Sequence, residues 1–224
     1  MCELANKRTG YFGRIVWIMN AQVIKLGEGY FFLRIDNFLK LNELSEVWEE
    51  IKFFSYRSKL KTNTHSAKFS ETGELKSNKI GVWLDDIFTD RKYSNFFKYY
   101  KKWITPEAFG ILVKTNLFWR ELAFCEFDRT LFSCYENETY YRVHQDTTRI
   151  TQIYYTFKEP KKFTGGQIVF TDFNYLQEIE NNMLIVFPSW FNHEVKPVLL
   201  NEKTPSEQDK LECNGRYSFT TFFS

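Results

Sequence analysis

The spacing of apolar residues changes about halfway along the chain, and the first half favours helices. An aromatic and branched run over residues 30–35 predicts one strand. Over residues 41–53, starting at Leu41, apolar residues recur at helical spacing and predict an amphipathic helix that packs on the core. Residues 92–105 and 107–116 predict two more helices, separated by a Thr-Pro step.

Two segments of the first half lack a regular pattern. Residues 57–80 are polar and rich in Lys, Ser, Thr and Asn, which predicts a long loop. Loops of this length inside a compact domain often act as lids. Residues 1–28 indicate a weakly structured lead-in or an extra edge element. We therefore expect residues 29–120 to hold helices, one strand and a lid loop.

From residue 117 onward, short aromatic and β-branched runs alternate with turn residues. Strands are predicted at residues 121–127, 130–135, 140–145, 149–157, 167–171, 183–187, 193–199 and 216–223. Short strands at this spacing indicate a β-sandwich or a barrel. We expect one domain over residues 29–224 that is mainly β, an α+β arrangement with its β core over residues 121–224.

Composition and charge narrow the function classes only slightly. Aromatic residues make up 19% of the chain, which favours β structure because rings suit pleated, half-buried surfaces. The net charge is +2 and the lysines are scattered, so the sequence does not favour a nucleic-acid partner. The apolar run over residues 15–24 is too short and too polar for a membrane span or signal peptide. Four cysteines without a CxxC pair favour a reducing compartment, and we expect a cytoplasmic protein.

The first candidate for chemistry is the pair His144 and Asp146. Residues two apart on a strand point to the same face, so the imidazole and the carboxylate would project together. With a second histidine, His193, they would form the two-His-one-carboxylate triad of non-haem iron oxygenases, which leaves coordination positions open. A chance His-x-Asp has a probability of roughly one in ten in such a chain, so the pair alone is a weak signal.

The motifs that follow make the pattern specific. In chain order they are Tyr135, His144-x-Asp146, Tyr154-Tyr155, Gly165-Gly166, Phe170, His193-x-Val195-x-Pro197 and Arg216. Over about 90 residues this order resembles the prolyl-hydroxylase branch of the Fe(II)- and 2-oxoglutarate-dependent dioxygenases. The resemblance implies a double-stranded β-helix core of the jelly-roll or cupin type, with the N-terminal helices flanking it.

The resemblance also implies cofactors and their ligands. The cofactors are Fe(II), 2-oxoglutarate as co-substrate and O2, with ascorbate as an optional reductant. The metal ligands are the three residues of the triad. The residues implied in binding the oxoacid are Arg216, Tyr155, Tyr135 and Thr220. An arginine suits this task because its planar fork pairs with a carboxylate through two hydrogen bonds.

One departure from the family pattern concerns the distance from His193 to Arg216. Arg216 follows His193 by 23 positions, more than the family usually has. The intervening residues 201–214 are polar, and we interpret them as an insertion between two strands. Arg216 still opens an apolar strand, as the family arginine does.

Four further residues are candidates for contacts with the substrate. Residues 80–86 faintly resemble the strand that follows the mobile substrate loop of prolyl hydroxylases, which makes Trp83 and Asp85 candidates. Arg142 and Trp190, which flank the metal-ligand motifs, are further candidates; the alternative for each is plain packing or a solvated charge. The third histidine, His65, is expected to be an ordinary loop residue because flexible loops place ligands poorly.

Several functions fit the pattern, because it identifies the oxidant and not the target. The leading hypothesis is hydroxylation of a prolyl or similar aliphatic residue in a peptide or protein, and the first alternative is hydroxylation of a free amino acid or small metabolite. A different class is a non-catalytic β-helix protein with a vestigial metal site. A zinc hydrolase or isomerase would use the same ligands but would not need Arg216 together with Tyr155.

Overall fold

A computed structural model describes residues 20–56, 73–201 and 214–224 of the protein. Its largest element is an antiparallel sheet of seven strands in the spatial order β1-β2-β10-β6-β13-β4-β3. These strands are β1 (Asn20–Gly27), β2 (Tyr30–Asp36), β3 (Ile80–Trp83), β4 (Asp128–Tyr135), β6 (Ile150–Thr156), β10 (Met183–Pro188) and β13 (Arg216–Phe223). We call it the major sheet.

A second, smaller sheet lies opposite and has the order β5-β11-β8-β9. Its strands are β5 (Tyr141–His144), β8 (Ile168–Phe170), β9 (Tyr175–Gln177) and β11 (His193–Val195). A separate pair joins β7 (Phe163–Gly165) to β12 (Val198–Leu200). We call the four-stranded sheet the minor sheet; a pocket between the two sheets takes residues from both.

Helices cover the other face of the major sheet. They are α1 (Leu41–Tyr56), α2 (Leu84–Ile87) and α3 (Pro106–Thr115), with 3₁₀ turns at Arg91–Tyr93, Phe96–Lys98, Leu117–Phe124 and Thr171–Phe173. The helix α3 begins with the Thr105 hydroxyl accepting a hydrogen bond from the backbone N–H of Ala108 at 3.2 Å, an N-cap that the Thr-Pro step predicts. None of the helices in the described ranges is long and apolar enough to cross a membrane.

Alternation along the strands separates two cores. On β6, Tyr154 packs with the helices, whereas Ile153 and Tyr155 face the minor sheet. The helix-side core includes Val47, Ile51 and Phe54 of α1, and it is continuous with β13 through Phe219 and Phe96. The core between the sheets is lined by Phe170, Ile185, Phe187 and Val195 among others.

The strand β13 occupies the middle of the major sheet. Its eight residues pair with β4 from Arg216↔Tyr135 to Phe223↔Asp128, and seven of them also pair with β6. Its residues are buried except Phe222, which is partly exposed, so both of its edges and both of its faces are covered. The position of Arg216 is therefore set by the register of two neighbouring strands.

Most of the predicted elements are confirmed. The strand at 30–35, the helices at 41–53 and 107–116, and the strands that carry the motifs all form, although Leu41 at the start of the first helix is 86% exposed. Residues 20–27, within the predicted lead-in, form the edge strand β1. The predicted strand at 193–199 is two strands, broken around Pro197, which has no N–H to donate to a ladder. The predicted loop lies outside the described residues from 57 to 72.

The prediction of a helix at 92–105 is wrong, and a buried carboxylate explains why no helix forms there. Glu50 of α1 is 5% exposed and accepts hydrogen bonds from the Ser94 hydroxyl at 2.9 Å and from the backbone N–H groups of Asn95 and Phe96. Burial raises the pKa of Glu50, because a buried carboxylate loses its hydration. The three hydrogen-bond donors compensate part of that cost. The chain turns around this carboxylate in short 3₁₀ segments instead of continuing as a helix.

The prediction of a strand at 121–127 is also wrong, because residues 121–124 belong to a 3₁₀ helix. The Asn116 side chain accepts a hydrogen bond from Phe118 N–H at 2.7 Å and starts the helix. Trp119 and Leu122, three residues apart, are the buried positions, which is the spacing of a 3₁₀ helix.

The cysteines differ from the expectation for a reducing compartment. Cys134 is disulfide-bonded, whereas Cys125 is a free thiol. Disulfides form and persist mainly in oxidising compartments. The cysteine pattern therefore no longer supports a cytoplasmic location, which stays a prediction.

Candidate active site

Three potential metal ligands converge at the edge of the pocket between the sheets. His144 ends β5 and His193 begins β11, and the two residues are paired across these antiparallel strands. Asp146 lies just beyond β5, and its carboxylate oxygens are 3.7 Å from His144 Nε2 and 3.6 Å from His193 Nε2. Each residue offers one ligand atom, and these atoms lie within 4.8 Å of one another.

Both imidazoles are held in the same way. The Nδ1 of His144 lies 2.8 Å from the backbone oxygen of Arg142, and the Nδ1 of His193 lies 2.8 Å from that of Phe191. A carbonyl only accepts, so Nδ1 carries the hydrogen in both rings and Nε2 presents a lone pair toward the carboxylate. This is the tautomer that metal-binding histidines need.

The carboxylate is also fixed in place. Asp146 Oδ2 accepts a hydrogen bond from the Thr151 hydroxyl at 2.6 Å, and the Asp146 N–H donates to Ser189 O at 2.9 Å. The Ser189 hydroxyl in turn lies 2.8 Å from that of Thr151. These contacts leave the other oxygen of Asp146, Oδ1, directed to the His144 side of the cluster.

The electrostatics favour a neutral imidazole at His144. Burial, followed by the neighbouring His193, lowers the pKa of His144 to about 2. The ring of His144 is stacked on Tyr141 with 3.6 Å between centroids, which excludes water from one face. A neutral, oriented imidazole is ready to donate its lone pair to a cation.

The pocket that continues from these ligands has a volume of about 350 Å³. Its lining combines a polar set with an apolar wall: Lys79, Trp83, Leu131, Tyr135, Tyr141, His144, Asp146, Ile153, His193, Val195, Arg216, Ser218, Thr220 and Phe222. Arg216, Ser218, Thr220 and Phe222 follow one another at every second position of β13, because alternate residues of a strand share a face.

Arg216 is the deepest cation of this pocket. It is 1% exposed, and its Nη1 donates to the backbone oxygen of Gly166 at 2.7 Å. Its guanidinium lies over the Tyr135 ring at 4.1 Å and over the Tyr155 ring at 4.9 Å from the centroids. Gly166 has φ of +71°, and a Cβ at this position would lie 3.0 Å from the Val198 side chain. A glycine is therefore needed for the backbone to lie this close to Val198 and Arg216.

Two polar atoms beside this cation have no hydrogen-bond partner among the described residues. They are Nε of Arg216 and the hydroxyl of Tyr155, both buried. Burial raises the pKa of Tyr155, so the hydroxyl keeps its proton and remains a donor. Unpaired buried donors are costly, and a carboxylate from a ligand would satisfy both.

Of the four predicted substrate contacts, the structure brings only Trp83 to the pocket of the three ligands. Asp85 lines an adjoining cavity but is bonded to Arg91 and to the Thr130 N–H. Arg142 points to the surface and pairs with Glu74. Trp190 packs near Tyr30 on a different groove. His65 lies outside the described residues.

Three polar residues that line the pocket were not predicted from the sequence: Lys79, Tyr141 and Ser218. Ser218 follows from Arg216 by the period of two on β13, a signal that was present in the sequence. Lys79 lies at the end of the predicted loop 57–80, next to residues 80–86, but no motif singles out this lysine as a pocket residue.

The donor set fits the cofactors that the sequence pattern implies. Two imidazole nitrogens and one carboxylate oxygen leave open positions on a divalent metal. The unpaired Arg216 Nε and Tyr155 hydroxyl fit the far carboxylate of a dicarboxylate oxoacid. Both ends of such a ligand would lie within one pocket.

Comparison with known proteins agrees with this geometry. Residues 130–224 match the family model of the 2OG-Fe(II) oxygenase superfamily. Among solved structures, the chain is similar to a Pseudomonas putida prolyl-4-hydroxylase, with 16% identity, a TM-score of 0.53, and coverage of 88% of this chain and 93% of that one. It is also similar to a viral collagen prolyl hydroxylase from Paramecium Bursaria Chlorella virus-1 in complex with 2OG, with 14% identity, a TM-score of 0.45, and coverage of 88% and 96%. Curated protein sequences gave no match. The similarity to the bacterial structure confirms the predicted double-stranded β-helix fold.

Proposed function

Because residues 130–224 match the family model of the 2OG-Fe(II) oxygenase superfamily, we propose that the protein hydroxylates an aliphatic C–H bond of a prolyl or similar residue in a peptide. The observation that carries the proposal is one pocket with a His-Asp-His cluster at one end and, at the other, a guanidinium Nε and a phenol hydroxyl without a partner among the described residues.

We assign the residues as follows. His144, Asp146 and His193 hold Fe(II) through two nitrogens and one oxygen. Arg216 and Tyr155 bind the far carboxylate of 2-oxoglutarate through the donors that have no described partner. Tyr135 and Thr220, which line the same pocket, contribute to the walls of the oxoacid site. The bound iron and oxoacid, together with O2, supply the oxidising power for replacing C–H by C–OH, with succinate and CO2 released.

The chain's own residues orient these groups and exclude water. The carbonyls of Arg142 and Phe191 fix the imidazole tautomers, and Thr151 fixes the carboxylate. Ile153 and Val195 form an apolar wall. A dry site strengthens the pairing of Arg216 with a carboxylate and limits side reactions of a strong oxidant.

A peptide substrate is favoured by the cavity that adjoins the metal end. It has a volume of about 610 Å³ and shares Trp83, Tyr141, Asp146 and Phe222 with the oxoacid pocket. An extended chain lying there would pass beside Asp146. The similar bacterial structure is described as a prolyl-4-hydroxylase, which supports a prolyl residue as the first target to test.

The ligand assignment is tested by anaerobic titration with Fe(II) and 2-oxoglutarate, followed by the visible charge-transfer band between metal and oxoacid. We expect the band in the wild-type protein and its loss in Asp146→Ala. His65→Ala is the matched control, because it removes the remaining histidine of the sequence and should leave the band unchanged. A normal band in Asp146→Ala would refute the assignment.

The substrate is tested separately, by mass spectrometry of products. Proline-containing peptides and free proline are incubated with the protein, Fe(II), 2-oxoglutarate and O2. We expect peptides to gain one oxygen atom and the Asp146→Ala protein to leave them unchanged. Hydroxylation of the free amino acid without hydroxylation of any peptide would favour a small-molecule hydroxylase instead.

A further inference from the structure

A second buried cation lies in the oxoacid pocket and has no role in the mechanism above. Lys79 is 6% exposed and lines the pocket together with Arg216 and the three metal ligands. It immediately precedes β3, and its N–H donates to the Ser77 hydroxyl at 3.2 Å. Ser77 forms a β-bridge with Tyr141, so the segment that carries Lys79 is attached to the strand of His144.

The ammonium of Lys79 lies over two aromatic rings. Its Nζ is 4.8 Å from the centroid of Tyr141 and 5.8 Å from that of Tyr135. Tyr141 also stacks on His144, and Tyr135 also carries the guanidinium of Arg216. The ammonium therefore lies between the metal end and the oxoacid end of the pocket.

Within the described residues, no carboxylate lies within 4 Å of this ammonium, and no hydrogen bond to its Nζ is formed. Cation–π contacts with two rings compensate only part of the cost of burying a charge. Buried lysines are rare unless they are paired with an anion. The missing partner is therefore expected to be an anionic ligand.

The charges of the loaded site indicate which ligand this is. Asp146 and a dianionic oxoacid together balance a divalent metal and Arg216. The metal and Arg216 already take the two carboxylates of the oxoacid in the proposed function. The charge of Lys79 then remains unmatched unless a further anion enters the pocket.

We propose that Lys79 is the binding group for a carboxylate of the substrate, so that the substrate is an anionic molecule or an acidic segment of a peptide. The inference rests on the proposed function, because the metal and Arg216 must occupy both carboxylates of the oxoacid. Lys79 then selects the substrate and orients it against Trp83 at the junction of the two cavities.

The experiment uses the full chain loaded with Mn(II) and saturating 2-oxoglutarate under anaerobic conditions. The probes are trifluoroacetate and its neutral counterpart trifluoroacetamide, both small enough to enter any carboxylate subsite. Fluorine relaxation reports binding near the paramagnetic metal. Lys79→Met removes the charge, and Lys79→Arg restores it. Lys161→Met is the matched control, because Lys161 also lies over two rings, Phe157 and Phe163, but does not line the pocket.

We expect a saturable relaxation effect on trifluoroacetate and none on trifluoroacetamide in the wild-type protein. In Lys79→Met the apparent affinity for trifluoroacetate should fall about tenfold, as for a lost charge-assisted hydrogen bond, with retention in Lys79→Arg and Lys161→Met. The affinity of Lys79→Met for 2-oxoglutarate should stay within about twofold of the wild-type value. If Lys79 bound a carboxylate of the oxoacid instead, this affinity would fall about tenfold.

Two results would overturn the inference. If Lys79→Met weakens 2-oxoglutarate and trifluoroacetate competes with the oxoacid, then Lys79 serves the oxoacid. If Lys79→Met changes neither ligand, then the ammonium is a packing residue. Failure of the proposed function is distinguishable from both, because the wild-type protein would then bind no Mn(II) or 2-oxoglutarate before any probe is added.

Discussion

Two groups of polar side chains in this molecule, one partly exposed and one buried, differ in how completely their members are paired. The first surrounds Asp128 at the start of β4. Its carboxylate, whose side chain is 7% exposed, accepts from Arg91 at 2.6 Å, from Lys101 at 2.5 Å and from the Tyr100 hydroxyl at 3.2 Å. Arg91 also reaches Asp85 and the Asp128 carbonyl. We call this group the Asp128 cluster.

The second group is the oxoacid pocket, where donors outnumber acceptors. Among the residues that the structure describes, Arg216 Nε and the Tyr155 hydroxyl have no hydrogen-bond partner, and the contacts of the Lys79 ammonium are with two aromatic rings. The same kinds of side chain occur in both groups. Saturated pairing indicates a group that stabilises the fold, whereas unsatisfied donors facing a cavity indicate a group that awaits a ligand.

The largest expected difference between the two groups comes from Arg216→Met. A buried charge pair with a ligand contributes roughly 2–5 kcal/mol, so the affinity of the metal-loaded protein for 2-oxoglutarate should fall on the order of 100-fold or more. The free energy of unfolding of the metal-free protein should stay the same or rise, because an incompletely paired guanidinium leaves the core. Ligand titration and urea unfolding measure the two quantities.

The comparison would fail if Arg216→Met lowered the free energy of unfolding by more than about 2 kcal/mol. A loss of that size is expected when a fully paired buried charge is removed. Arg149→Met is a suitable control, because Arg149 is half exposed and pairs with Glu121 at the surface. Neither quantity should change by more than about 1 kcal/mol in that variant.

The reverse pattern is expected for Asp128→Ala. Removing this carboxylate leaves Arg91, Lys101 and Tyr100 without their shared acceptor, and hydrogen bonds to charged groups contribute about 1.5–3 kcal/mol. We expect the free energy of unfolding to fall by about 2–3 kcal/mol, with unchanged 2-oxoglutarate affinity. Asp86→Ala should cost less than about 1 kcal/mol, because its ion pair with Arg129 is exposed. Equal losses in the two variants would contradict a special role for the Asp128 cluster.

The smallest and sharpest contrast uses two adjacent tyrosines of β6. Tyr155 has an unpaired hydroxyl in the pocket, whereas the Tyr154 hydroxyl donates to Asn182 at 3.2 Å on the other face of the sheet. Tyr155→Phe should weaken 2-oxoglutarate binding about fivefold, near 1 kcal/mol, without lowering thermal stability. Tyr154→Phe should lower the unfolding free energy by about 1 kcal/mol and leave the oxoacid affinity unchanged. An identical response of both variants would mean that pairing does not separate the two roles.

Features of the fold and the site that depend on residues close together in sequence could be predicted, whereas features that depend on contacts between distant residues could not. The ligands His144 and Asp146 lie in one local motif, and His193 and Arg216 belong to ordered motifs on later strands, so their type and spacing were readable. The polar insertion before Arg216 did not matter, because the register of β13 with Tyr135 of β4 fixes the arginine's position. Residues 202–213 of that insertion lie outside the described residues.

Two of the failures have long-range causes. The predicted helix at 92–105 is broken by contacts with Glu50, more than 40 residues away, which no local pattern contains. Lys79 reaches the pocket through a bridge to Tyr141, again a contact between distant parts of the chain. The single-domain boundaries at 29 and 224, the lid role of residues 57–80 and the residue roles in the site stay predictions.

The two ends of the pocket are built on strands of very different length. The proposed oxoacid anchor, Arg216, begins the eight-residue β13, which is bonded on both sides, whereas the imidazoles proposed to bind the metal stand on β5 and β11, of four and three residues. Amide hydrogens of β13 should be among the last to exchange with solvent, and those of β5 and β11 among the earlier ones. In the proposed function, the end of the pocket at Arg216 would thus be a rigid reference point, while the end at the two imidazoles would keep the freedom to adjust as a third molecule enters.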